Sequence, residues 1–290
     1  MTAAIELAPE LVRALERHET EAHAIGGREL VDQGDALALI DPADPDPFWN
    51  RIVSLRWPSH PAAFDRRLEQ AITFFATRNR RPHVWPTVSG DEPPDLVDRL
   101  VASGFADTGR GILMAREISA FHDRVQPARD TAVEMVRSGA AQPLISDVAR
   151  VLAEAFSPRG ETEEAEDPRD ATAIEATTLA VAADLARLLG DPRVAFALAR
   201  VGGVPAAVAK VTGGSGLAYL SSIGTRPVYR GRGLAALVTR RALVESRRSG
   251  GSLAYLGVFE GNVRAVRLYA RLGFAIVGRP VPDLLLVGQA

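Results

Sequence analysis

Apolar residues recur along this chain at two spacings, either every second residue or every third to fourth residue. The clearest helical stretch follows Pro61, where one face carries Phe64, Leu68, Ala71, Ile72 and Phe75. Strands are predicted at 36–40, 52–57, 83–85, 109–116, 131–136, 194–201, 204–211, 217–225 and 256–258. Helices are predicted at 8–23, 93–103 and 145–156, in a stretch that ends near 189, and after residues 233 and 262. Strands alternating with helices predict an α/β (α+β) fold with mixed sheets.

The order strand, helix, strand, helix, strand occurs twice. Residues 49–105 align with residues 218–274 without a gap, so that Gly104-Phe105 falls on Gly273-Phe274. Few residues are identical, so the repeat is one of architecture. The polar segment 119–130 is typical of a linker. Two tandem domains are therefore predicted, residues 1–120 and residues 128–290.

Composition narrows the classes of function. The chain has 290 residues, a net charge of -2 and no cysteine. The balanced charge disfavours a nucleic-acid partner, and the lack of cysteine excludes disulfides and a cysteine nucleophile. No apolar run approaches the ~18 residues of a membrane span, and the first residues lack the pattern of a signal peptide. We expect a cytoplasmic protein, monomeric or homodimeric, without a metal site or a membrane partner.

The most informative segment, Arg226–Ala235, follows the predicted strand 217–225 and precedes a helix. Such a glycine-rich turn directs backbone N–H groups at one point, where the helix dipole also favours an anion such as pyrophosphate. Gly231 and Gly233 remove side chains, and Arg230 and Arg232 add positive charge. A merely tight, solvated turn is the simpler alternative.

A dinucleotide-binding loop is a further alternative for this segment. Gly231-x-Gly233-x-x-Ala236 fits that fingerprint, with Glu260 as the ribose-binding acid. However, Arg226–Arg230 separate the strand from the glycines, and too few residues follow Gly233 to complete a doubly wound sheet. The anion-binding turn is favoured.

A second block lies on the predicted helix that follows residue 262. Asn262, Ala265, Leu268, Tyr269 and Leu272 share one face of that helix. Taken alone, Asn262 is expected to cap the helix and Tyr269 to be an amphipathic core residue.

Together the two blocks resemble the GNAT superfamily of N-acetyltransferases. Arg230-x-x-Gly233-x-Ala235 resembles its acetyl-CoA signature, and 262–274 is similar to its Asn-x-x-Ala-x-x-Leu-Tyr-x-x-x-Gly-Phe helix. The resemblance covers roughly residues 130–290. It implies two tandem GNAT-type domains, with acetyl-CoA as the acyl-donor cosubstrate of the second.

The resemblance also implies roles for individual residues. Tyr269 would protonate the departing CoA thiolate. The acceptor would be a primary amine of a small molecule, amino acid or peptide that attacks the thioester directly. A non-catalytic acyl-CoA-binding or sensing module is the alternative. The residues implied in acetyl-CoA binding are Ile223, Gly224, Thr225, Arg230, Gly231, Arg232, Gly233, Leu234, Ala235 and Asn262.

The first copy lacks these features. Pro61, Phe64 and Asp65 stand where the second copy has Arg230, Gly233 and Leu234, and Leu100 replaces Tyr269. We therefore expect residues 1–120 to have the fold without a cofactor site.

The general base is not assigned by the sequence. Some family members place a glutamate where this chain has Tyr219, so His60 or His83 of the first copy remain candidates. An acidic loop at 159–170 is either a solvated surface or a set of ligands for a cationic substrate; its carboxylates are Glu161, Glu163, Glu164, Glu166 and Asp167.

Overall fold

The computed structural model describes residues 3–123, 125–157 and 168–287, with the backbone alone at 168–172. The first elements along the chain are β1 (Ala4–Ile5), α1 (Pro9–Ala24), β2 (Glu29–Asp32), β3 (Leu37–Ile40), β4 (Arg51–Val53), α2 (Pro61–Ala76), β5 (His83–Val84), α3 (Leu96–Ala102) and β6 (Phe105–Glu117). They are followed by β7 (Thr131–Val136), α4 (Gln142–Ala155), α5 (Pro168–Leu188), β8 (Val194–Val201), β9 (Val204–Gly214), β10 (Leu217–Thr225), α6 (Leu234–Arg248), β11 (Leu253–Phe259), α7 (Val263–Arg271) and β12 (Ala275–Leu286). The predicted mixed α/β class is confirmed.

The chain forms two compact units that do not follow the sequence repeat. Unit 1 comprises Met1–Ala115 and Gly257–Ala290, and unit 2 comprises Arg116–Leu256. The end of the second copy, including α7 and β12, thus belongs to the same unit as the first copy. Residues 1–120 and 128–290 are the two copies of the sequence repeat. That each copy has its own role stays a prediction.

Unit 1 is a sheet in the order β2-β3-β4-β5-β12-β6, with β1 parallel to β12. β12 is antiparallel to both of its neighbours: Leu284 is in register with Val84 of β5 and Asp107 of β6. The core of the unit combines Trp57, Phe64, Phe75 and Leu100 with Leu284, which is fully buried. The last strand of the chain therefore completes a sheet that the first copy begins.

Unit 2 is a sheet in the order β11-β10-β9-β8-β7, antiparallel except for the parallel pair β10–β11. Gly202 and Gly203 form the predicted two-residue turn between β8 and β9, and both have positive φ (57° and 83°). A tight hairpin of this type needs positive φ at both central residues, which glycine adopts without strain. Strands β8 and β9 are buried along most of their length, as expected for central strands covered by helices.

Two short strands were not predicted from the sequence. β1 has two residues, and three of the four residues of β2 are exposed, so neither carries an apolar alternation. The predicted strand 52–57 ends at Val53, because Ser54 has a left-handed φ of 57° that interrupts the extended backbone.

We predict that residues 125–290, expressed alone, do not form a stable fold. This fragment contains β12 but lacks β5 and β6, the strands on both sides of it. Unpaired backbone groups and the exposed Leu284 then oppose folding. Circular dichroism with thermal unfolding measures the effect. Co-expression with residues 1–124 is the control and should restore a cooperative transition; a fragment that alone unfolds at the temperature of the whole chain contradicts the prediction.

Candidate functional site

The two parallel strands of unit 2 separate part-way along their length. The pairing of β10 with β11 runs from Leu217–Leu253 to Tyr219–Tyr255, whereas β10 continues to Thr225. On its other side β10 stays paired with β9 up to Thr225. The backbone of residues 220–225 therefore has one edge outside the β10–β11 ladder. A gap of this kind offers N–H and C=O groups to an extended ligand.

A bulge bends β10 within this gap. The register with β9 shifts between Ser221 and Gly224, so β10 has one residue more than its partner there. Ser222 within the bulge has a φ of 49°. Left-handed conformations of non-glycine residues cost roughly 1–3 kcal/mol and are concentrated at ligand sites. The predicted residue Ile223 follows Ser222 and lies in the bulged, half-buried part of the strand.

Gly224 has a packing role that its sequence position did not reveal. A Cβ at this position would lie 2.8 Å from Cβ of Ala155 and 3.1 Å from the ring of Phe156, at the end of α4. Only glycine permits so close an approach of the helix to the strand. This packing holds the end of α4 against the bulge, whatever Gly224 also contributes through its backbone.

The glycine-rich loop leads into α6, and the first N–H groups of this helix have no acceptor within the helix. Gly233 is the N-cap with φ 75° and ψ 8°, and Gly231 has φ 80°. The first α6 amide bonded to the N-cap is that of Leu237, which donates to Gly233 O at 3.1 Å. Helix geometry leaves the four preceding N–H groups, those of Gly233, Leu234, Ala235 and Ala236, without intrahelical acceptors. These donors and the helix dipole suit an anion.

The glycines of the loop are needed for their backbone conformation. A Cβ at Gly231 or Gly233 would meet no atom within 4 Å, so neither glycine relieves crowding inside the protein. Their left-handed φ is the constraint, because other L-residues adopt it with strain. The open space above both glycines is accessible to a ligand.

Three arginines of the loop divide into one structural and two exposed residues. Arg226 is largely buried and donates to Glu154 Oε2 (2.7 Å) and Pro205 O (2.8 Å), which fixes the loop to α4 and β9. Arg230 is exposed and makes long contacts with Thr225 O (3.4 Å) and Ala155 O (3.3 Å). Arg232 pairs with the exposed Asp130 at 3.0 Å, and this hydrogen bond lowers the pKa of Asp130.

Two buried hydroxyl groups on β10 were not identified from the sequence. Ser221 Oγ and Thr225 Oγ1 have no hydrogen-bond partner in the part of the chain that the structure describes. Buried hydroxyls are normally satisfied, so these are candidate donors to a ligand in the gap. Together with the edge of β10 they fit a ligand rich in amide groups, such as a pantetheine arm. The signal in the sequence was the group of three Ser and Thr residues, Ser221, Ser222 and Thr225, at the end of a strand that begins apolar.

Asn262 and Tyr269 belong to unit 1, whereas the loop belongs to unit 2. Asn262 caps α7, with Oδ1 accepting from Ala265 N at 3.1 Å, so its capping role is observed and its Nδ2 group is the one suited to a ligand. Tyr269 is 8% exposed, and its ring contacts Phe274 edge-on at 6.1 Å. Burial raises the pKa of Tyr269 to about 12, above the value near 10 expected for an exposed phenol.

Candidates for the general base are less well defined. Tyr219 is buried, with its ring 5.2 Å from that of Tyr255. The five carboxylates of the acidic loop, Glu161 to Asp167, lie outside the described residues. His60 is the N-cap residue of α2, and His83 contacts Asp283 and Pro47 O within unit 1.

The corresponding gap of the first copy is filled by its own chain. β4 pairs with β5 only at Ile52–Val84. Beyond that point Glu92 N donates to Leu55 O (2.9 Å) and Trp57 N donates to Glu92 O (3.0 Å). Asp91 Oδ1 also accepts from Leu55 N at 2.8 Å. Ser54 has a left-handed φ of 57°, and the repeat aligns it with Ile223, the residue next to Ser222 (φ 49°) in the second copy. A filled gap adds a reason, beyond the altered loop at 61–65, to expect no cofactor site in the first copy.

Neither a membrane span nor a metal cluster accompanies this site. Of the helices in the described ranges, none is both long and apolar enough to span a bilayer. The described His, Asp and Glu side chains likewise form no group of three placed to hold a metal ion.

Comparison with known proteins shows what this chain is similar to. The Acetyltransferase (GNAT) family matches residues 150–274. A GCN5-related N-acetyltransferase from Kribbella flavida is 22% identical, with a TM-score of 0.68 over 99% of this chain and 98% of that one. A tandem GNAT protein from the clavulanic acid biosynthesis pathway is 15% identical, with a TM-score of 0.60 over 88% and 79%. Curated proteins give no match in sequence. The structural likeness establishes the GNAT fold, and the tandem arrangement has a solved counterpart.

Proposed function

We propose that this member of the GNAT superfamily is an acetyl-CoA-dependent N-acetyltransferase that acts on a primary amine of a small molecule, amino acid or peptide. One observation carries the proposal: in unit 2 an open gap beside a bulged strand leads directly into a helix start with uncommitted amide donors. An extended amide chain ending in a pyrophosphate matches both parts. Acyl transfer in general is supported by the family match.

The loop and the strand would bind different parts of the cosubstrate. The pyrophosphate would accept from the amides of residues 231–235, with Arg230 and Arg232 supplying charge. The pantetheine arm would lie along Ile223, Gly224 and Thr225, where Thr225 Oγ1 is a buried donor. Asn262 would contribute its Nδ2 group, because its Oδ1 is engaged in the helix cap.

The reaction would be a direct transfer. The amine nitrogen attacks the thioester carbonyl carbon, the C–S bond breaks, and the nitrogen loses one proton while the sulfur gains one. With its pKa near 12, the Tyr269 phenol is protonated at neutral pH and is a poorer acid than an alkyl thiol, whose pKa is about 8.5. Full proton transfer from Tyr269 is uphill, so we propose that its O–H donates a hydrogen bond to the sulfur as negative charge develops there.

The activity is tested by following thiol release from acetyl-CoA against a panel of amines, amino acids and short peptides. Acceptor-dependent release supports the enzyme, and mass spectrometry should show one acetyl group added to nitrogen. Binding of acetyl-CoA with no release for any acceptor would support the non-catalytic binding or sensing module.

We predict that the whole chain binds one molecule of acetyl-CoA. Only the second copy keeps both the open gap and the glycine-rich loop, whereas Glu92 occupies the gap of the first copy. Isothermal calorimetry should give a stoichiometry of one. Gly233→Glu, which strains the N-cap and adds a negative charge, should abolish the binding. A stoichiometry of two would refute the assignment of a silent copy.

Removing the partner of Arg232 should strengthen binding. Asp130→Asn releases the Arg232 guanidinium and deletes a negative charge beside the loop. Exposed ion pairs are worth up to about 1 kcal/mol. We therefore expect acetyl-CoA affinity to rise roughly twofold to fivefold, and the gain should be smaller at high salt. Asp184→Asn is the matched control, because it breaks an exposed Asp–Arg pair within α5. Equal effects of the two variants would mean that Arg232 does not contact the ligand.

Tyr269→Phe should lower turnover and leave acetyl-CoA affinity nearly unchanged. The substitution keeps the ring packed on Phe274 and deletes only the donor. Loss of one hydrogen-bond donor to developing charge costs roughly 10²–10³-fold in kcat. Single-turnover kinetics measure the chemical step and calorimetry measures the affinity. If the variant retains the full single-turnover rate, Tyr269 is a core residue alone.

A further inference from the structure

Unit 1 contains a cleft that the proposed reaction does not use. It has a volume of about 260 Å³ and lies between α1, the turn that joins β2 to β3, and the chain that follows β4. The charged and hydroxyl groups that line it include Arg13, Glu16, Arg17, Asp32, Arg56 and Ser89.

The segment that fills the gap of the first copy also forms a wall of this cleft. Ser89 Oγ donates to Glu16 Oε2 at 2.5 Å, and Ser89 N donates to Glu16 Oε1 at 3.3 Å. Arg56 NH1 donates to Gly90 O at 2.8 Å. Glu16 from one side and Arg56 from the other therefore hold residues 89–90 in place. The cleft is a formed feature of the unit with a fixed wall.

Three guanidinium groups, those of Arg13, Arg17 and Arg56, line the cleft. Asp35 also lines it, but both of its oxygens accept from Arg67 at 2.7 Å, so an arginine outside the cleft already neutralises it. Burial raises the pKa of Glu16 to about 7, so this carboxyl is only partly ionised at neutral pH. Asp32 is the third carboxyl group of the lining. Arginine side chains grouped in this way suit a carboxylate or a phosphate.

The two arginines of α1 that line the cleft form ion pairs at the surface, where their N–H groups stay accessible to a ligand. Arg13 pairs with Glu10 at 3.0 Å and Arg17 with Glu21 at 3.7 Å, and all four side chains are at least 46% exposed. Exposed pairs of this type contribute little and exchange readily. An anion held by several donors in a cleft competes well with them.

One residue that lines the cleft has a strained backbone conformation. Ser54, which has a φ of 57°, lines the cleft. Strained conformations of this kind persist where the surrounding structure imposes them, and they are concentrated at ligand sites. The first copy thus has a left-handed residue in the lining of this cleft, although its gap is filled.

We infer that this cleft of unit 1 binds a small molecule that carries a carboxylate or phosphate group, with Arg17 and Arg56 as its main contacts. The ligand is bound and not acylated, because Asp91 and Glu92 occupy the gap in which an acyl donor would have to lie. The cleft is thus a binding site separate from the proposed catalytic one, and it does not depend on that proposal.

The test uses the full chain carrying Gly233→Glu, so that anions do not bind at the glycine-rich loop. Inorganic phosphate and succinate are titrated separately, with amide chemical shifts of residues 13–17 and 54–56 as the readout and no acetyl-CoA present. At least one probe should give saturable shifts. Arg17→Gln and Arg56→Gln should each lower the affinity for that probe roughly tenfold, which is the effect of losing one charge-assisted hydrogen bond. Arg66→Gln, on the exposed face of α2 outside the cleft, is the matched control and should change the affinity less than twofold.

The outcomes separate the possibilities. Saturation by succinate alone or by phosphate alone identifies which oxyanion the site prefers. Thermal unfolding of each variant confirms that it is folded. Arg17→Gln changes a side chain that is 61% exposed, so its result stands even if Arg56→Gln is unstable. No saturable shift with either probe, or equal affinity in Arg17→Gln and Arg66→Gln, would overturn the inference.

Discussion

The separation of two parallel strands is the constraint on which this structure depends. Where β10 leaves β11 after Tyr219, and where β4 leaves β5 after Ile52, backbone groups lose their ladder partners. Unpaired backbone groups in a protein interior are costly, so each gap has to be filled by solvent, ligand or chain. The first copy fills its gap with the backbone of Glu92 and the carboxylate of Asp91. In the second copy β10 continues to Thr225 without β11, and this difference underlies the proposal that only the second copy binds a cosubstrate.

The position of β12 has a comparable effect on the whole chain. Its hydrogen bonds to β5 and β6 place the C-terminal residues in the sheet of the first copy. Asn262 and Tyr269 follow the glycine-rich loop in sequence, yet they belong to unit 1 while the loop belongs to unit 2. The two blocks that resemble the family therefore lie in different compact units. This arrangement gives the first copy a structural reason to persist, because without it the last strand has no sheet.

Local features of the site could be predicted from the sequence, and features that depend on tertiary pairing could not. The left-handed glycines at 231 and 233, the cap at Asn262 and the helical face of α2 follow from rules that act over a few residues. The filling of the first gap by Asp91 and Glu92 depends on contacts with residues some 36 positions away, and no spacing rule encodes it. The same holds for β12 and for Gly224, whose necessity comes from the approach of α4. Tyr269 was assigned correctly to a buried face, but its raised pKa follows from burial that only the fold provides.

The two copies also show which parts of an anion site are lost together. In the first copy Pro61 removes an amide donor, Phe64 is fully buried in the core and Asp65 brings the wrong charge. Phe64 packs edge-on against Trp57, so the residue that replaced the loop glycine became part of the core of unit 1. Restoring glycine there would remove a large buried aromatic group, which typically costs 3–5 kcal/mol. The loss of the site is therefore tied to the stability of the unit: once the aromatic ring entered the core and Glu92 entered the gap, packing opposed any return of the ligand.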